Sequence, residues 1–461
     1  VGRLTYEYAS RYLAEFNMGY NGTENFAKGK RFGFFPAVSL GWVISEEKFF
    51  PKNNIVKYLK VRGSYGEVGN DQIGGDRFLY LPSSYGAASD SGVNKYNFGL
   101  ASNPYTSLMI VENKIGNPDL TWEKAKKMNV GVDINLFNNC LTASFDIFKE
   151  KRNNILANRS TSPMIIGANL PAYNFGEMEN RGWEMDLNFR HHIQDFHYWA
   201  RFNYSFARNE IIYMDEVQKR YDYQMTTGRR KNQFFGLIFD GYYNSWEEIN
   251  ALDRPKSSWS GNQLQPGDVK YVDVNQDGVI DDYDMVPIGY TPVPEIIYGF
   301  SFGAQYKGFD FSILFQGADN VSIKYFGRSM WPFAKGEESA KSLIKERWTQ
   351  ERYEAGEKIT FPRLSLNPNG ETDHNYRPST LWIRDASYLR LKNLEVGYTF
   401  TGGFVKRLNL NSVRLYFNGS NLFTWTDVVD LDPEAPSRSG NVEINTYPLQ
   451  KVYNIGLNIN F

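Results

Sequence analysis

One cysteine, Cys140, in 461 residues excludes an intramolecular disulfide framework and any cysteine-rich metal site. Charge of one sign is missing too. Lys and Arg number 51 against 52 Asp and Glu, a net −1, so no broad field draws in nucleic acid or anionic lipid. No apolar run reaches the roughly 18 residues of a membrane-crossing helix, although a crossing β-strand needs only about 10 residues with every second one apolar. The sequence opens on Val1, with no initiator Met and no charged-then-apolar leader, and is expected to be a processed product or a fragment. Patterns for a nucleophile elbow, a zinc protease helix, a phosphate loop or a dinucleotide fold do not occur, and no catalytic residue is assigned.

What is abundant is aromatic. Thirty-three Phe, 31 Tyr and 10 Trp make 16% of the chain, beside 40 Gly. That composition suits the aromatic girdles and tight turns of a membrane barrel, and equally a large secreted glycan-binding β protein. A hydrophobic fraction of 41% excludes global disorder.

Period-two alternation separates the two readings. Tyr453, Ile455, Leu457, Ile459 and Phe461 alternate with Asn454, Gly456, Asn458 and Asn460, and in a strand the two sets face opposite ways. Met128, Val130, Val132, Ile134 and Leu136 repeat the pattern against Lys127, Asn129, Gly131, Asp133 and Asn135. The reading gives strands near 4–20, 34–45, 57–69, 123–137, 140–150, 182–191, 195–209, 295–306, 309–318, 388–400, 412–424 and 451–461. Their links alternate between short ones, such as Asn138-Asn139 and Lys307-Gly308, and long ones at 70–122, 151–181, 210–294, 319–387 and 425–450. A soluble sandwich has no reason to place every long loop at one end, whereas outer-membrane barrels have short periplasmic turns and long outer loops. The chain is therefore expected to be all-β, a transmembrane antiparallel barrel spanning 1–461, with its C-terminus periplasmic.

Seven segments in order resemble the SusC/RagA family of TonB-dependent outer-membrane transporters. Among them are RFGFFPAVSLGWVISEEKFF at 31–50, GNPDLTWEKAKKMNVGVDINLFNN at 116–139, PGDVKYVDVNQDGVIDDYD at 266–284 and YLRLKNLEVGYTF at 388–400. The resemblance implies a plugged barrel of about 22 strands, of which the dozen strands here are the C-terminal half. Plug domain and first strands would precede Val1. It also implies the outer membrane of a Gram-negative bacterium (a Bacteroidetes type), a SusD-like surface lipoprotein lid, and coupling to the TonB complex through the missing N-terminal part. Outer-membrane lipid surrounds such a barrel, and its substrates are oligosaccharides or, for some members, oligopeptides.

The sharpest local motif is Asp273, Asn275, Asp277, Val279, Asp281 and Asp284, with Gly278 at the sixth position. This is the spacing of an EF-hand Ca2+ loop, with Asp in place of Glu at position 12. Pro266-Gly267 and Pro287 argue against flanking helices, so a structural Ca2+ staple is expected; the plainer alternative is a turn without metal. His191, His192 and His197 gather at a short turn and His374 stands alone in a long loop. Turn histidines are commonly solvated, and a metal site there is the lesser reading. Glu247-Glu248 and Glu337-Glu338 read as exposed charge, because adjacency does not place two carboxylates across a cleft. Trp246, Trp259 and Trp331, with Trp348, Trp382 and Trp425, lie in or beside the long connections. Their flat faces suit sugar rings or a partner protein, and some are expected to fill cores of the loops themselves. Residues 341–352 read as a short helix.

Three functions compete on this reading: a TonB-driven nutrient importer, a secreted carbohydrate-active or glycan-binding β protein, and a self-contained 12-strand barrel. The one-sided loops favour the membrane class.

Overall fold

A computed structural model of the protein describes residues 1–72, 74, 77–81, 85–87, 95–100, 105–108, 110–112, 115–161, 170–259, 264–325, 331–333, 342–365, 373–434, 441–442 and 448–461. Thirteen strands form one antiparallel sheet in which every strand pairs with its neighbours in chain order. They are β1 (Gly2–Tyr8), β2 (Tyr12–Gly22), β3 (Phe32–Val43), β4 (Val56–Asn70), β5 (Glu123–Leu136), β6 (Leu141–Ala157), β7 (Tyr173–Ile193), β8 (Phe196–Tyr213), β9 (Ile296–Tyr306), β10 (Phe309–Asp319), β11 (Tyr388–Phe400), β12 (Ser412–Thr426) and β13 (Val452–Asn460). Among the described residues no helix is long and apolar enough to cross a membrane.

The expected first strand, 4–20, is two strands. Ala9 and Ser10 both take left-handed backbone angles, φ 53° each, and the Arg11 amide donates to the Tyr8 carbonyl at 3.0 Å. That hairpin carries no Gly, Asn or Pro, the usual marks of such a turn, so the apolar alternation runs through it unbroken. Among the described residues the sheet thus has 13 strands, and β1 and β13 do not pair with each other, so these strands do not form the closed 12-strand barrel of the third expectation.

The sidedness of the links holds. Residues 9–11, 44–55, 137–140, 194–195, 307–308 and 401–411 turn at one end; 23–31, 71–122, 158–172, 214–295, 320–387 and 427–451 connect at the other. The connection expected at 151–181 is shorter, because β6 and β7 continue as strands through charged sequence. Lys149 pairs with Glu179 at 2.8 Å and Lys151 with Glu177 at 2.9 Å along that extension.

Through the middle of the sheet the rows of one face are apolar, and the row between them is polar from β4 to β8. One row runs Gly63, Val130, Ile147, Trp183, Phe206, Ile296, and the next on the same face runs Val61, Val132, Phe145, Met185, Tyr204, Tyr298. The row between them, on the opposite face, is Arg62, Gly131, Asp146, Glu184, Ser205. The apolar face is bare: Val130 is 57% and Ile455 81% exposed, values a soluble protein of this size would not leave in a continuous band. Aromatic pairs edge it at both ends, one stacked and one edge-to-face. Trp183 and Tyr204 lie 4.7 Å apart near the long-loop end, and Phe309 and Tyr398 4.5 Å apart at the short-turn end.

Candidate functional site

On the polar face, two arginines bind strands together. Arg62 reaches Asp146 through Nη1 and Nη2 at 2.7 and 2.6 Å, and Asp133 through Nε at 3.1 Å, while Ser144 Oγ donates to Asp133 at 2.9 Å. Arg414 donates through Nε to Asp310 at 2.9 Å and through Nη2 to Glu395 at 2.6 Å. Hydrogen-bonded charges of both signs, facing away from the apolar band, make this the wet wall of the barrel. Near the long-loop end it holds a cleft of about 340 Å3, lined by Glu150, Arg152, Asn180, Asn209, Arg230 and Glu295.

Above the wall, the connections 214–295, 320–387 and 427–451 fold into a crown with its own core. Leu237, Val269, Tyr271, Phe361, Tyr376 and Trp382 are buried in it. Polar side chains bond across it: Tyr271 hydroxyl donates to the His374 carbonyl at 2.7 Å, and Trp348 Nε1 to Asn244 Oδ1 at 3.0 Å. His374 is therefore a core residue. Its Nε2 lies 2.8 Å from the Val269 carbonyl, its ring packs on Tyr271, and burial holds its pKa below the ordinary imidazole value.

The crown settles where the tryptophans go. Trp331, Trp348 and Trp382 are buried, so Trp331 is a core residue of the crown and has no free face for a ligand. Trp259 is partly buried, with the Arg377 guanidinium 4.1 Å from its ring centre. Trp246, the first residue of the helix Trp246–Ile249, is 55% exposed, and Trp425 lies exposed on β12. Of the three candidates, Trp246 alone presents an open indole face. The helix expected over 341–352 is a 3-10 turn, Ser342–Glu346, then a separate helix, Gln350–Glu354. Between them the Trp348 amide pairs with the Phe361 carbonyl at 2.8 Å and Thr349 caps the second helix. Lys341, Glu337 and Glu338 lie outside the described residues.

In the acidic loop, side chains fold back on backbone amides. Asp273 Oδ2 accepts from Gly278 N at 2.8 Å, Asn275 Oδ1 from Asp277 N at 3.0 Å, and Asp277 Oδ1 from Val279 N at 2.9 Å. Gly278 takes φ 82°, the sharp turn the motif demands. Asp284 is fully buried and accepts from the Val274 and Asp281 amides, each at 2.8 Å. Burial, with the Asp273 charge adding to it, raises its pKa. Asp281 Oδ1 caps the short helix Asp282–Asp284 through Tyr283 N, at 2.6 Å. Asp273 Oδ1 is buried without a hydrogen-bond partner, the kind of orphan a cation would satisfy. Even so, among the described residues no three His, Cys, Asp or Glu side chains converge closely enough to form a chelating group. That holds for the turn histidines too, where His192 and His197 stack across the β7–β8 hairpin 5.5 Å apart.

The family profile of the TonB dependent receptor-like β-barrel matches residues 1–422. The chain belongs to that family. The receptor barrel is 28% identical over 479 residues to TonB-dependent receptor P3 of Formosa agariphila, and 28% identical over 466 residues to TonB-dependent receptor SusC of Bacteroides thetaiotaomicron. All of the chain is covered in both, but only 45% and 43% of those relatives, so it spans less than half their length. In fold it is similar to a solved structure of the RagAB peptide transporter, at TM-score 0.74 and 23% identity, covering 100% of this chain and 46% of that one. The SusC/RagA resemblance carried by the seven segments is thereby borne out. The polar wall of the receptor barrel, its crown and the acidic loop are the places where function can reside.

Proposed function

We propose that this chain is the C-terminal part of the barrel of a TonB-dependent importer in the outer membrane of a Gram-negative bacterium, with the crown outside the cell and the C-terminus in the periplasm. The observation that carries the reading is the combination of a bare apolar face, a charged opposite face and a folded crown confined to one end. TonB coupling is assigned to the part of the full-length protein that precedes this segment. Substrate enters under the crown, held there by a SusD-like surface lipoprotein acting as a lid, and passes along the polar wall without bond chemistry. Oligosaccharides are the proposed substrates. The exposed Trp246 face suits sugar stacking, whereas Trp331, Trp348 and Trp382 are committed to the crown's core. Oligopeptides are the second reading, favoured by the polar cleft beside Glu150, Arg152 and Glu295, whose paired charges suit a peptide's two termini. A structural Ca2+ in the loop of Asp273, Asn275, Asp277, Val279, Asp281 and Asp284 is part of the proposal, supported by the loop spacing and by the orphaned Asp273 oxygen.

The test is uptake by cells carrying the full-length receptor, with and without its surface lipoprotein, offered labelled oligosaccharide or oligopeptide mixtures. TonB-dependent accumulation of sugar supports the first reading and of peptide the second; accumulation of neither contradicts both.

A further inference from the structure

The extension of β6 and β7 beyond the apolar band has its own chemistry. Directly above the row of Gly63, Val130, Ile147, Trp183 and Phe206, the same outward face carries Tyr65, Met128, Lys149, Arg181 and Arg208. Lys149 is the register partner of Arg181, and Arg181 of Arg208. Three cations thus stand abreast on three neighbouring strands, about 5 Å apart from one to the next, an arrangement that is unfavourable unless an anion lies against it. Glu179 pairs with Lys149 at 2.8 Å and Glu295 with Arg208 at 2.7 Å. Arg181, between them, is exposed, and among the described residues no carboxylate pairs with it. The next row outward is of mixed charge, with Lys126 and Lys151 among Glu67, Glu179 and Glu210, so the unpaired cation is Arg181.

The position of this row identifies its partner. Ile147 and Phe145 below it are 56% and 40% exposed, and no charge interrupts that face of β5–β8 over the rows beneath. Two residues along a strand are about 7 Å, so the cations sit one step above the greasy band. Trp183, stacked on Tyr204, marks the boundary between them. A cation row one step above hydrocarbon faces the headgroups of the surrounding leaflet. Arginine and lysine there recognise phosphate, Arg by its planar fork and Lys as a point charge.

We propose that Lys149, Arg181 and Arg208 form a binding site on the outer wall of the barrel for the phosphate of a phosphorylated lipid headgroup in the leaflet at the crown end. The inference rests on the membrane-barrel reading. The bound phosphate supplies Arg181 with the anion that its neighbours already have in Glu179 and Glu295, and holds β6–β8 against the bilayer where they project from it.

The test uses delipidated full-length receptor in neutral detergent, titrated with a diphosphorylated, acylated glucosamine disaccharide. The same lipid stripped of phosphate, and inorganic phosphate alone, are the comparison probes. The variants are Lys149→Gln with Arg181→Gln, and as a control Lys127→Gln, which lies at the same height on the opposite face. The double variant is expected to weaken lipid binding about thirtyfold, from two headgroup-facing cations. The control should leave it unchanged, and removing the lipid's phosphates should abolish discrimination between the proteins. Equal affinity for phosphorylated and stripped lipid overturns the site, as does a double variant that binds like the parent. Inorganic phosphate binding as tightly as the lipid shows an anion site and overturns the lipid assignment. A receptor that requires no detergent would instead contradict the membrane reading itself.

Discussion

Trp382 Nε1 donates to the carbonyl of Asn375 at 2.7 Å, and both residues are buried in a core made wholly of connections between strands. The crown is therefore a folded unit standing on a barrel, with its stability set by side chains that never touch lipid. Trp382→Ala is expected to cost the crown about 3–5 kcal/mol, the range for removing a large buried aromatic. Proteolysis should then cut within 214–295 or 320–387, while the barrel keeps its compact migration in unheated detergent gels. Loss of both together would mean that crown and barrel fold as one.

Acid should loosen the same unit. Burial depresses the His374 imidazole, so the native ring is neutral and the unfolded one takes up a proton near about pH 6.5. Stability is full above that value and falls as the pH drops below it towards the depressed native value. The groups that bear on the ring are Asp268, Asp373 and Arg254, with Tyr271 packed against it. Crown melting followed from about pH 8 to about pH 5.5 should show this slope, and His374→Gln should flatten it. An unchanged slope would place the acid sensitivity elsewhere.

Calcium binding is checked through light. Tyr283 sits in the acidic loop, and Tyr223 hydroxyl donates to its carbonyl at 2.6 Å. Terbium bound in the loop of the full-length receptor should be sensitised by these rings and displaced by Ca2+. Asp284→Ala and Asp273→Ala should each abolish the signal. Tyrosine-sensitised emission that persists in both variants would show that the loop is held by its amides alone.

Arg390, on β11, is buried and holds Asp432 at 2.5 Å and Glu434 at 2.9 Å. Burial alone would raise the Asp432 carboxyl, but hydrogen bonds from Arg390 and from the Glu434 and Leu449 amides, with the Arg390 charge, together hold it below its ordinary pKa. Removing the cation strands a buried carboxylate, so Arg390→Ala should cost about 3–5 kcal/mol and expose the 427–451 connection to protease. Arg390→Met, of similar volume but uncharged, should expose it as well; protection in the Met variant would make the role one of packing.

The barrel was legible from Tyr453, Ile455 and Leu457 because lipid on one side and water on the other impose a strict two-residue period. The hairpin at Ala9-Ser10 was hidden, since its turn carries no Gly, Asn, Asp or Pro and a lone Ser is a weak mark. The extension through Lys149–Arg152 was hidden for a related reason: cross-strand ion pairs stabilise strand there, where charge alone reads as loop. Trp331 and His374 could not be told from ligand-facing residues, because burial of a loop residue depends on distant connections meeting, and no local pattern records that. The spacing of the acidic loop did survive into geometry, in the hydrogen bond from Gly278 N to Asp273.

Charge on the lipid face should be costly where charge on the wet face is not. Ile455→Arg and Val130→Arg are expected to lose about 2–4 kcal/mol and impair barrel assembly. Asn454→Arg and Asn129→Arg should assemble as the parent does. Equal yields of folded barrel from all four would contradict the faces.

The central claim, that Val130 and Ile455 face lipid while Asn129 and Asn454 do not, is measured most directly by spin labels placed singly at these four positions. The background is the full-length receptor in lipid vesicles, with Cys140 replaced by Ser. Collision with oxygen, which concentrates in hydrocarbon, is compared with collision with a water-soluble nickel chelate. Labels at Val130 and Ile455 should favour oxygen strongly, and labels at Asn129 and Asn454 should not. The same ratio at all four, or the reverse order, would contradict the barrel account.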